Sequence, residues 1–153
     1  MISEFEHLNK EEVILLTDAI PLITILIGGA DGELDPQELE WAKKVTEIRT
    51  YNNPDNLKGF YSLVEESYDA KLNQYLTDLP KGVEERTLAI SDKLAKLNAI
   101  LPKLEEEYRK EIYGSYKSFA HHVAKASGGF LRFLNVSKEE KDLMDLPMIN
   151  EIA

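Results

Sequence analysis

The chain has 153 residues, with 28 Asp and Glu against 18 Lys and Arg, a formal charge of −10 and no cysteine. That length fits one domain able to bury a core, and 43% hydrophobic residues exclude wholesale disorder. A pI near 4.8 argues against nucleic acid as partner, and the missing cysteine removes disulfides, thiolate metal centres and cysteine nucleophiles.

The periodicity is helical nearly throughout, which predicts a single all-α domain, a bundle of about 5–7 helices built from two related helix-loop-helix halves. Its core is expected over about residues 9–146, with 1–8 and 147–153 as loose ends. The start, MISEFEHLNKEE, is acidic and lacks the basic region of a secretory signal, so a cytoplasmic location is expected.

A first helix is predicted from near Asn9 to about Ile27, with Glu11 and Glu12 in its first turn and Pro21 expected to kink or split it. Its apolar run from Val13 to Ile27 is interrupted by Asp18 and falls short of the ~20 apolar residues of a membrane span. Gly28-Gly29 ends it. A second helix opens with Asp35 as N-cap, Pro36 at the first helical position and Glu38 closing a capping box; Leu39, Trp41, Ala42 and Val45 follow. A third follows Pro54 and ends near Leu79-Pro80-Lys81-Gly82.

The longest helical stretch is predicted from near Val83. Ile90, Leu94, Leu97, Leu101, Leu104 and Tyr108 form a narrow stripe spaced 4, 3, 4, 3 and 4, with a kink or junction expected at Pro102. It stops at Ser127-Gly128-Gly129, and a last helix starts at Ser137 with Glu140 at its third position.

Charge is concentrated. Residues 1–42 hold ten acids and one base, Lys10, for a net of −9, and residues 43–153 hold a net of −1. Such a local field invites a cation or a basic partner.

Two segments repeat a pattern. Ile27-Gly28-Gly29-Ala30-Asp31-Gly32-Glu33-Leu34-Asp35-Pro36-Gln37-Glu38 is echoed by Ala126-Ser127-Gly128-Gly129-Phe130-Leu131, then Val136-Ser137-Lys138-Glu139-Glu140, with a loop six residues longer. Each joins two helices through Ala-X-Gly and a capping box, so both loops are expected at one end of a shared core. The acidic copy is not an EF-hand, because Ile27 and Gly29 would stand where that loop needs side-chain oxygens.

The acidic segment resembles the first signature of the TerB-like family of tellurite-resistance-associated proteins, and the second segment resembles a variant of its other half. The resemblance implies an all-helical fold with two related halves and acidic loops that take a divalent metal. It also implies a non-enzymatic accessory or scaffold role in a stress- or metal-linked process. Asp31 and Glu38 match the family's acidic positions in the first loop. In the second, only Glu140 matches, and Ser127 replaces the acid.

The candidate metal ligands are thus Asp31, Glu33, Asp35, Glu38 and Glu140. An oxygen-only set favours Ca²⁺, Mg²⁺ or Mn²⁺, bound weakly because Asp35 and Glu38 also serve as caps. No organic cofactor is expected.

Ser127, Gly128, Gly129, Lys125 and Arg132 could form an anion-binding nest. Phe130, Leu131, Phe133 and Leu134 either tuck into the core or make a partner surface, including one for a homodimer. The competing function is accordingly a metal-independent protein-protein interaction module, using that loop and the acidic N-terminal quarter. No catalytic residues are assigned, since Ser127 lacks a nucleophile elbow and the adjacent His121 and His122 point about 100° apart on a helix.

Overall fold

Asn9 opens the first helix in the computed structural model of the protein, which describes residues 3–30, 36–52, 55–126 and 142–152. Its side chain accepts from the Glu12 amide at 2.8 Å, and the Glu12 carboxylate accepts from the Asn9 amide at 2.9 Å. This capping box starts α1, Lys10–Gly28. Every residue from Leu16 to Gly28 is buried, as an element apolar on all sides must be. Pro21 does not split the helix: the cost of a missing amide is offset by neighbours packed around the whole circumference.

The remaining helices are α2 (Pro36–Asn52), α3 (Asp55–Asp78), α4 (Val83–Ala95), α5 (Leu97–Ile100) and α6 (Glu106–Ala126), with short 3-10 turns at Ser3–Phe5 and Leu101–Lys103. No strand occurs among the described residues, so the all-helical bundle expected from the periodicity is what forms. None of the described helices is long and apolar enough to cross a membrane.

Side-chain ties fix the directions. Thr24 meets Tyr68 and Asp18 meets Tyr75, so α3 runs antiparallel to α1. Lys43 meets Asp69 and Arg49 meets Tyr61, so α2 runs antiparallel to α3. The α6 helix follows α1 in the same sense: Tyr108 packs on Phe5 with ring centres 6.1 Å apart, and further along Tyr116 donates to the Leu16 carbonyl at 2.6 Å. The C-terminal ends of α1 and α6 therefore lie towards the same end of the bundle.

The stripe from Ile90 to Tyr108 is buried at all six positions, yet it crosses two helix breaks. At Lys96 the hydrogen bonding tightens, with its amide reaching the Lys93 carbonyl, and Pro102 lies in the 3-10 turn before α6. The continuous helix expected from Val83 is thus divided at the proline and also at Lys96. Pattern reports which side chains face the core, and a chain can change helix while keeping that facing. In α2, Ala42 and Val45 are buried as the pattern required, but Trp41 stands 43% exposed on the outer face.

The described parts of the expected loose ends, 3–8 and 147–152, are anchored. Phe5 is fully buried and Leu8 nearly so. Past the second loop, Leu146 is buried in a left-handed conformation (φ 50°), a position that costs a non-glycine residue about 1–2 kcal/mol. Ile149 is buried as well, and the Asn98 side chain holds the neighbouring backbone by donating to the Met148 carbonyl and accepting from the Asn150 amide.

Candidate functional site

The end of the bundle where α1 finishes is built around Arg86. This residue, in the first turns of α4, is buried, and its guanidinium donates to the Gly29 carbonyl at 2.8 Å. A cation at the C-terminal end of a helix complements the partial negative charge of its unsatisfied carbonyls. Arg86 thus fixes the point from which the first loop departs.

Beside it lies a cleft of about 460 Å³ lined by Ala30, Val83, Glu84, Thr87, Leu88, Asp142 and Leu143. Ala30 is the last described residue before the first loop, and Asp142 the first after the second. The cleft therefore joins the flanks of both loops. Its walls are mainly apolar, and Leu88 is 65% exposed. Glu84, in the first turn of α4, and Asp142 line it from separate parts of the chain.

Asp31, Glu33 and Asp35 lie outside the described residues, as do Ser127, Gly128, Gly129, Phe130, Leu131, Arg132, Phe133, Leu134 and Glu140. Of Glu38 the backbone is described, as the third residue of α2, but not the side chain. Lys125 is exposed in the last turn of α6. Among the described residues no group of three or more acidic or histidine side chains is arranged to hold a metal ion.

The two histidines engage different partners. His121 Nε2 lies 3.3 Å from Asp145, whereas His122 Nδ1 is 2.9 Å from Arg49 Nη2. Arg49 also donates to the Tyr61 hydroxyl, to Ser115 and to Ser118, so one guanidinium ties α2 to α3 and α6. Tyr61 and Ser115 share a further hydrogen bond. Because Arg49 can only donate, His122 Nδ1 accepts and the ring is neutral with its proton on Nε2. Burial, then the adjacent Arg49 charge, holds its imidazole below the usual histidine range.

Asp18 is the other buried polar feature. It is 3% exposed within the central helix, and its Oδ2 accepts from the Tyr75 hydroxyl at 2.7 Å and pairs with Lys71 at 3.2 Å. In sequence, a lone acid in an apolar run was the signal for such a buried pair. Arg49 and Arg86 carried no comparable mark, because an arginine on a charged helix face looks the same whether it solvates or plugs a carbonyl.

Comparison of the chain with protein-family models, with curated proteins and with solved structures returned no match.

Proposed function

We propose that the chain is a non-enzymatic, TerB-like accessory or scaffold protein of a stress- or metal-linked (tellurite-type) process, acting in the cytoplasm through the bundle end that carries its two loops. The acidic loop Asp31–Glu38 coordinates Ca²⁺, Mg²⁺ or Mn²⁺ weakly in this reading. One observation carries it: Ala30 and Asp142, which flank the first and second loops, line a single cleft together with Glu84. Glu84 and Asp142 thus lie beside the points where the two loops begin and end, and a hard cation with 6–8 oxygen ligands held by the acidic loop would draw on them and on water. Calorimetric titration with each metal tests the reading. Saturable heat that is lost in Asp31→Asn is expected; no heat at millimolar metal, or unchanged heat in the variant, would overturn it.

A metal-independent interaction module is the second reading, favoured by the apolar lining of the same cleft and the exposure of Leu88 beside it. The partner is a protein, with a second copy of the chain as the simplest case. Light scattering separates the two: conversion of an oligomer to a monomer by Leu88→Ser, or by Phe130→Ser with Phe133→Ser, supports the module, and a metal-independent monomer in every variant contradicts a homodimer.

A further inference from the structure

The opposite end of the bundle carries a second cleft of about 360 Å³, lined by Ser3, Glu4, Glu105, Glu107 and Tyr108. Its acids come from two separate segments. Glu107 lies in the first turn of α6 and Glu105 immediately precedes that helix, where negative charge suits the helix dipole and needs no further explanation. Glu4 is different: it belongs to the N-terminal 3-10 turn and is held across from them because Phe5, the next residue, is fully buried against Tyr108.

Three described basic side chains of this region are engaged elsewhere. Lys103 pairs with Glu12, and Lys110 with Glu106. Arg109 spends its donors on the carbonyls of Leu101, Pro102 and Leu104. Among the described residues no basic side chain lines the cleft.

Tyr108 supplies an independent sign of a ligand. The residue lines the cleft and is 6% exposed, and its buried hydroxyl has no hydrogen-bond partner among the described residues. A buried hydroxyl without a partner costs about 1–3 kcal/mol, so a structure that keeps one usually has a use for it. The Glu4 charge acts on this hydroxyl without hydrogen-bonding it, and the hydroxyl oxygen can accept an N–H from a guest.

We propose that this cleft binds a linear polyamine, with ammonium groups paired to Glu4 and to the Glu105/Glu107 side and one N–H donated to the Tyr108 hydroxyl oxygen. A bare metal ion fits less well, because the described carboxylates do not converge as three or more ligands. Spaced ammonium groups match acids spread along a cleft, and each is a compact donor of three N–H bonds. The site is separate from the loop end, and neither reading depends on the other.

The test is calorimetry on the full chain with spermidine at low salt. Saturable binding is expected, weakened about fivefold for each of Glu4→Gln and Glu107→Gln, as loss of one partly exposed ion pair implies. Glu65→Gln with Glu66→Gln, which removes two exposed acids of α3, leaves the affinity unchanged. Tyr108→Phe weakens binding by about threefold while the free protein keeps or gains stability, because the hydroxyl it loses makes no internal bond. Mg²⁺ at matched ionic strength does not displace spermidine. Absence of saturable heat, equal weakening in the α3 variant, displacement by Mg²⁺, or undiminished binding in Tyr108→Phe would each overturn the assignment.

Discussion

Arg86 Nη2 donates to the Gly29 carbonyl at 2.8 Å, joining residues 57 positions apart where the first loop leaves the central helix. That single bond aligns α4 with α1 and gives the two-loop end a fixed floor. Replacing Arg86 with Met keeps much of the apolar stem but strands the carbonyl. The expected cost is about 1.5–3 kcal/mol, read as a lower urea midpoint with unchanged slope. An unchanged midpoint would mean that the bond contributes nothing to the fold.

Asp18 and Tyr75 should behave as a coupled pair. Tyr75→Phe leaves a buried carboxylate short of a donor and is expected to destabilise by about 1–3 kcal/mol. Adding Asp18→Leu and Lys71→Met replaces the whole polar group with apolar surface, and should recover most of that loss. A triple variant less stable than Tyr75→Phe alone would show that the buried charge stabilises the core on balance.

Arg49 serves four hydrogen-bonding side chains, which a lysine ammonium cannot reproduce in the same fork geometry. Arg49→Lys is therefore predicted to cost about 2–3 kcal/mol. Its partner His122 adds a pH dependence of definite sign. The folded imidazole is held below its ordinary value of 6.5, so the unfolded chain takes up a proton first as pH falls. Its contribution is complete above that value and declines as pH drops through it towards the folded value. Urea midpoints at about pH 7.5 and about pH 5 should differ more for the native chain than for His122→Gln. Equal differences would remove His122 from the acid response.

At alkaline pH the sign reverses. Burial pushes Tyr68 up to about 12 and also raises Tyr75, Tyr108 and Tyr116. Above their ordinary value of 10.0 the unfolded chain releases protons that the folded chain retains, so stability is full below that pH and falls through the window up to about 12. Tyrosinate absorbance should show a delayed group that appears together with loss of helical signal. Ionisation of all the tyrosines near pH 10 without unfolding would contradict their burial.

The helical class and most helix ends were legible, because apolar spacing, Pro36 and Gly28 leave local marks. So was the burial of the stripe from Ile90 to Tyr108. The break at Lys96 was not, since it preserves the inward facing of Leu94 and Leu97. The Asn9-Lys10-Glu11-Glu12 start carries the residue types of a capping box at the right spacing. The anchored ends were missed because an apolar residue in a short polar segment, such as Phe5 or Ile149, gives no periodic signal. The ties that organise the interior, Arg86 with Gly29 and Arg49 with Ser115 and His122, join residues far apart in the chain. Spacing along the sequence carries no information about them.

The role of the two-loop end is tested most directly by amide NMR of the full chain titrated with Ca²⁺. Saturable shifts confined to Ala30–Glu38, Glu84 and Glu140–Leu143 are expected, all lost in Asp31→Asn. Shifts centred instead on Glu4, Glu105 and Glu107, or no shifts at millimolar Ca²⁺, would contradict it.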